Sequence, residues 1–178
     1  MKSGRAVFLD RDGVLNQAIV IAGKPYPPAS VEAIEILPGV EDGLKTLSSA
    51  GWMLIVVTNQ PDVARGTSTR ADVESINNFL RDRLPIDEFY VCYHDDSDLC
   101  LCRKPQPGAI LGAADRFGLA TSNCYMVGDR WRDIEAGIRA GCKTIFVDYS
   151  YSERKPKHWD YRVGSAKDAL GLIIEDKR

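Results

Sequence analysis

Ala6-Val7-Phe8-Leu9-Asp10-Arg11-Asp12-Gly13-Val14-Leu15 is an apolar run that halts at two carboxylates and a glycine. A buried strand made of it delivers Asp10 and Asp12 to one edge of a sheet, where the backbone turns and a ligand can approach. Residues two apart serve the same side of an extended chain end. This suits a nucleophile and an acid/base acting on a phosphate. A calcium loop of the EF-hand type needs its glycine at the sixth position and a helix in front. Here the glycine is fourth in Asp-x-Asp-Gly and a strand-like run precedes it.

Working outward, short β-branched or aromatic runs at 6–9, 53–58, 89–92, 125–127 and 144–147 alternate with segments of helical period. That alternation predicts an α/β fold with a five-stranded parallel sheet. Helices are expected from Pro38-Gly39 to about 50, from a Thr69/Asp72 capping box to Pro85, and over 109–117, 133–140 and 165–174. Val40, Leu44 and Leu47, like Val73, Ile76, Leu80 and Leu84, read as core stripes. The connection 16–37 holds Lys24-Pro25-Tyr26-Pro27-Pro28, which no helix interior accepts, and reads as an irregular flap. Residues 149–161 are charged and aromatic without clear period. One domain, residues 1–178, is expected.

The 178 residues are 44% hydrophobic, enough to bury a substantial core. A net charge of −2, from 23 basic and 25 acidic residues, offers no field for nucleic acid or an anionic membrane, so a small-molecule partner is expected. No apolar run approaches the roughly 18 residues of a membrane span, and no signal-peptide pattern opens the chain. Five cysteines, an odd count, argue against a disulfide framework. A cytoplasmic monomer is the expectation.

In a parallel sheet the carboxyl ends of the strands share an edge, where ligands bind. Asp10, Asp12, Thr58, Asn59 and Asp129 all follow strands, and Lys104 precedes a helix at that edge. A phosphate monoester brought to a carboxylate is repelled by roughly 4 kcal/mol per charge pair at about 4 Å, at an effective dielectric near 20. A cation is therefore required. Asp10 and Asp129, with oxygen from Asp12, offer Mg²⁺ the hard oxygen ligands it prefers. Lys104 and the Thr58 hydroxyl are placed to stabilise the phosphoryl oxygens. Asp10 then serves as nucleophile and Asp12 as general acid/base.

Asp10-x-Asp12-Gly13, Thr58-Asn59, Lys104 and Gly128-Asp129 with Asp133 resemble the four ordered motifs of the haloacid dehalogenase (HAD) superfamily of aspartate-nucleophile phosphatases. The resemblance implies the same roles and a three-layer Rossmann-like fold. With the five strands numbered in chain order, the implied sheet is 5-4-1-2-3. Neither long insertion of a large cap domain is present, so an open site is expected. Asp133 fits either a supporting acid or a helix amino-terminal residue, the second being preferred.

Cys92-Tyr93-His94, five residues, then Cys100-Leu101-Cys102 supplies three thiolates and an imidazole, the ligand set of a closed tetrahedral Zn²⁺ site. Asp95-Asp96-Ser97-Asp98 between the pairs is too polar for a core, so buried reduced cysteines explain Cys124 and Cys142 but not this cluster. A zinc-binding loop at 92–102 would hold Arg103 and Lys104 over the site.

Cys-x-His…Cys-x-Cys-Arg-Lys-Pro is similar to the pattern of two phosphatase families in the superfamily, acting on heptose 1,7-bisphosphate and on histidinol phosphate. Leu37-Pro38-Gly39-Val40, Thr58-Asn59-Gln60, Ala64-Arg65-Gly66 and Met126-Val127-Gly128-Asp129-Arg130 resemble the heptose family. That resemblance makes Asn59, Gln60, Arg65, Arg103 and Arg130 the candidate substrate-binding residues. Pro61-Asp62-Val63 replaces the usual Ser-Gly-Ile, the flap lacks Asp-x-Gly-Tyr, and the five-residue gap is closer to the histidinol enzyme. A signalling receiver also gathers acids, a hydroxyl and a lysine at one sheet edge, but with its phosphoacceptor on a later strand and no zinc loop.

Overall fold

The computed structural model describes residues 4–176. In chain order the elements are β1 (Ala6–Leu9), β2 (Ile19–Ile21), β3 (Lys24–Tyr26), α1 (Val40–Ser49), β4 (Met53–Asn59), α2 (Arg70–Arg83), β5 (Glu88–Cys92), α3 (Gly108–Phe117), β6 (Tyr125–Gly128), α4 (Trp131–Ala140), β7 (Lys143–Val147), β8 (Tyr161–Val163) and α5 (Ala166–Glu175). The main sheet runs β5-β4-β1-β6-β7-β8, with each pair parallel. The five expected strands take the expected order.

The apolar run at 6–9 lacks alternation because both faces of β1 are covered. Val7 and Leu9 join the core under α1, α2 and α5, whereas Ala6 and Phe8 join the core under α3 and α4. All four are fully buried. Val40, Leu44 and Leu47 turn one face of α1 into the first core. The Thr69/Asp72 pair forms a reciprocal capping box at the start of α2.

Two expectations about chain conformation are corrected. The sheet has six strands, not five: β8 pairs with β7, and its Val163 alone is even partly buried, so no apolar run marked it. The flap is not irregular throughout, for β2 and β3 form an antiparallel hairpin. Its turn residues Ala22 and Gly23 both have positive φ, 49° and 77°, as a tight two-residue hairpin requires. Pro25 excluded a helix, but a two-stranded ribbon tolerates it at an edge. No helix among the described residues is long and apolar enough to cross a membrane.

Candidate active site

The carboxyl ends of β1, β4 and β6 and the start of α4 surround a cavity of about 280 Å³, lined in part by Asp10, Asp12, Thr58, Lys104 and Asp133. Asp10 leaves β1 with its backbone N–H bonded to Val127 O at 3.0 Å, which fixes it beside β6. Lys104 is 2% exposed, and its three donors are all engaged. They reach Asp10 Oδ1 at 2.7 Å, Val57 O at 2.6 Å and Asp133 Oδ1 at 2.7 Å.

Asp10, Asp129 and Asp133 are buried, and each can offer an oxygen to a common point, the three atoms lying within 4.8 Å of one another. One ammonium does not balance three such charges. Burial, then the Asp133 charge, push the Asp10 carboxyl up to about 7 against the pull of Lys104. Burial and the charges of Asp10 and Asp133 likewise hold Asp129 well above the usual carboxylate range. Burial pulls the Lys104 ammonium down, but Asp10 and Asp133 outweigh it and hold the group protonated.

Two glycines let the acids approach. At Gly13, with φ 91°, a Cβ would stand 1.9 Å from Asp129 Oδ2; at Gly128 it would stand 2.1 Å from Asp133 Cβ. Asp129 Oδ2 accepts the Tyr151 hydroxyl at 2.9 Å, while Oδ1 is buried without a hydrogen-bond partner. An unpartnered carboxyl oxygen among acids fits a hard divalent cation, whose charge favours the ionised form.

Asp12, expected in the same cage, turns its carboxylate elsewhere. It accepts from Arg11 Nη2, Asn16 Nδ2 and Gln60 Nε2, each at 3.0 Å. The Arg11 side chain is itself fully buried and held by Asn77 Oδ1 at 3.0 Å. Asp133 takes the third place in the carboxylate trio. It is also the helix residue preferred from the sequence, since Oδ2 accepts the Arg130 backbone N–H at the start of α4.

The candidate substrate residues divide. Gln60 is 2% exposed and donates to Thr58 Oγ1 at 2.9 Å as well as to Asp12, so its amide anchors those two side chains rather than facing a ligand. That leaves the Thr58 hydroxyl proton for an acceptor in the cavity. Asn59 makes two 3.0 Å bonds with the Lys104 backbone and fixes that loop. Arg65, Arg103 and Arg130 do line the cavity.

Four ligand atoms from the end of β5 and the loop after it also converge. Cys102 Sγ lies 3.3 Å from Cys92 Sγ, 3.4 Å from Cys100 Sγ and 3.4 Å from His94 Nδ1. Sulfurs at about 2.3 Å from a tetrahedral centre stand about 3.8 Å apart, so the cluster is close to that geometry. Its acids hold the arginines. Asp95 Oδ1 accepts from Arg65 Nη2 at 2.7 Å, and Asp96 Oδ1 accepts from Arg103 Nε at 2.8 Å and Arg132 Nη1 at 3.0 Å.

Comparison with known proteins gives these observations a family. The HAD-hydrolase-like family model matches residues 101–163. The D-glycero-β-D-manno-heptose-1,7-bisphosphate 7-phosphatase of Helicobacter pylori is 32% identical over 179 residues, covering 97% of this chain and 99% of that one. The chain belongs to the heptose bisphosphate phosphatase family of HAD hydrolases. The Escherichia coli K12 member is 36% identical over 155 residues, 80% of this chain and 78% of its own. The solved D,D-heptose 1,7-bisphosphate phosphatase of B. bronchiseptica, crystallised with magnesium and phosphate, superposes with a TM-score of 0.81 at 26% identity, covering 96% of this chain and 98% of that one.

As a member of the heptose bisphosphate phosphatase family the chain is a phosphatase, and the receiver reading falls. Sequence reasoning passed over Tyr151, Arg132, Glu153 and the hairpin residues Lys24 and Tyr26. Arg132, Lys24 and Tyr26 line the cavity, Tyr151 contacts Asp129, and Glu153 accepts from Arg130. No motif marks them; only their distance from Asp10 along the folded chain does.

Proposed function

We propose that this phosphatase removes the 7-phosphate of D-glycero-β-D-manno-heptose 1,7-bisphosphate through an aspartyl phosphate on Asp10. The observation that carries the chemistry is the buried group of Asp10, Asp129 and Asp133, with the Lys104 ammonium bound to Asp10 and Asp133. Asp10 and Asp129, with Asp133 beside them, suit Mg²⁺, which when bound supplies the positive charge that lets a dianion approach a carboxylate.

Asp10 attacks phosphorus, forming the Asp10 O–P bond as the P–O bond to the sugar breaks. Asp12 gives its proton to the departing alkoxide. The same carboxylate then takes a proton from water, whose oxygen attacks phosphorus and releases Asp10 and inorganic phosphate. Arg11, Asn16 and Gln60 keep Asp12 aimed during both steps. Lys104 and the Thr58 hydroxyl stabilise the transferring oxygens.

Substrate identity rests on the relatives' names and on the rim of Lys24, Arg65, Arg103, Arg130 and Arg132, a donor set suited to a second phosphate. Histidinol phosphate carries an ammonium instead, which a lining of these five cations against only Asp62 and Asp96 around the rim disfavours. Cys92, His94, Cys100 and Cys102 are proposed to hold one Zn²⁺, ordering the loop that carries Arg103 and Lys104. Zinc ligation by three cysteines needs them kept reduced, as in the cytoplasm, which is the setting proposed.

The test is a side-by-side kcat/KM for the two phosphate esters with Mg²⁺. Heptose bisphosphate is expected to be favoured by at least about 100-fold, the scale of one lost charge-assisted contact. Equal or reversed values would overturn the substrate assignment and leave the phosphatase chemistry standing.

A further inference from the structure

Three consecutive residues after β7 touch three parts of the site. Tyr151 donates its hydroxyl to Asp129 Oδ2 at 2.9 Å. Ser152 N–H donates to Gly23 O at 2.7 Å in the turn of the hairpin. Glu153 Oε1 accepts from Arg130 Nε at 2.9 Å. The strap is fixed upstream by Ser150, with φ 58° and its N–H bonded to Asp148 Oδ1 at 2.8 Å, and by the Tyr149 ring packed 5.7 Å from that of Tyr151. A phenol held on both sides cannot follow Asp129 if that carboxylate turns.

The consequence lies at Asp129. Its two oxygens are chemically alike until something distinguishes them, and a carboxylate free to rotate can bind a cation through one oxygen or both. Here the phenol occupies Oδ2, and Oδ1 is left buried and unpartnered. Mg²⁺ demands near-octahedral, one-oxygen ligands at short distance, whereas Ca²⁺ accepts two-oxygen carboxylates at longer distance.

We propose that Tyr151 is a positioning residue for the cation, holding Asp129 to one-oxygen ligation and so favouring Mg²⁺ over Ca²⁺. Removing the hydroxyl frees Oδ2 to join the cation. That penalises the ion needing a compact six-fold shell and helps the one tolerating a larger shell. The inference rests on the cation site proposed above and is independent of which sugar phosphate is the substrate.

The experiment titrates Mg²⁺ and Ca²⁺ calorimetrically into chelator-treated protein without substrate, for wild type and Tyr151→Phe. The expected result is a Mg²⁺ Kd raised about 10-fold, the usual scale for losing a partner of a metal ligand, with a Ca²⁺ Kd unchanged or lowered. In turnover, the half-saturating Mg²⁺ concentration rises by a similar factor while kcat at saturating Mg²⁺ holds. An unchanged ratio of the two Kd values overturns the role of Tyr151. If the variant also melts earlier the ratio still decides, because a loosened fold weakens both ions alike. Wild-type protein that binds no Mg²⁺ would overturn the cation site and this inference together.

Discussion

Two polar clusters are joined in this chain through Lys104 and are built in opposite ways. The acids around Lys104 come from β1, β6 and α4, and the Asp10–Lys104 contact spans 94 positions of sequence. The thiols and imidazole come from the end of β5 and the loop that follows it, Cys92 to Cys102, and His94 lies exposed. The first cluster is buried and inherits its geometry from sheet packing. The second has few apolar neighbours and draws its order from local spacing and from the metal proposed to sit there. Arg103 and Lys104 join them, following Cys102 directly.

The largest effect should come from breaking the buried cluster at its proposed nucleophile. Asp10→Asn is expected to lower phosphate release by about 10⁴-fold or more while the protein stays folded, since the amide cannot form the covalent intermediate. Retained turnover, measured by released phosphate, would exclude Asp10 as nucleophile.

Breaking the loop cluster should cost less chemistry and more order. Cys100→Ser is expected to lower zinc content well below about one per chain and kcat/KM by roughly 10- to 100-fold. Elemental analysis reads the metal. Far-UV circular dichroism should show the sheet retained, because the loop touches the apolar cores only where Cys102 packs against one of them. Loss of the whole fold would show that the loop stabilises more than its own contacts.

The pH dependence separates the clusters further. The folded Asp10 carboxyl is pushed up to about 7 from an ordinary 3.8. Between those values the folded chain binds more protons than the unfolded one, so stability without Mg²⁺ falls as pH rises through that window. Mg²⁺ competes with the same proton, so its Kd should fall by several-fold between about pH 6 and 8. Denaturant melts and calorimetry across that range check both signs. A flat profile would mean that Asp10 stays ionised in the folded chain.

A smaller effect is expected at the seam between the two regions. Asp96→Asn loosens Arg103 and Arg132, whose pairs with Asp96 are 2.8 and 3.0 Å long. Asp96 is more than half exposed, so stability should shift by less than about 1 kcal/mol, read from thermal melts. KM for the bisphosphate should change several-fold with kcat nearly constant. Equal loss in kcat would place Arg103 or Arg132 in the transition state.

Much of the core fold could be read in the residues because double burial leaves a strong mark. The runs at 6–9 and 53–59 are apolar on both faces, and their helical partners carry one-sided stripes. β8 left no such mark, being short and largely exposed. The hairpin was hidden because Pro25 speaks against helix without speaking for a strand, and its Ala22-Gly23 turn lacks the Asn-Gly pair that signals hairpins most strongly.

The sequence by itself determined the chemical inventory: an acid pair after the first strand, a hydroxyl, a lysine and an acid after later ones, and four soft ligands within eleven positions. Those features are local, and local spacing is what one dimension records. Tertiary structure alone decided how the inventory is divided. It turned Asp12 toward Arg11, Asn16 and Gln60, brought Asp133 to Asp10 and Asp129, spent the Gln60 amide inside, and set the Tyr151 hydroxyl on Asp129. Each is a choice among partners far apart in the chain. Only the parallel pairing of β1 with β6, with the strap folded back onto Asp129, makes one partner nearer than the rest.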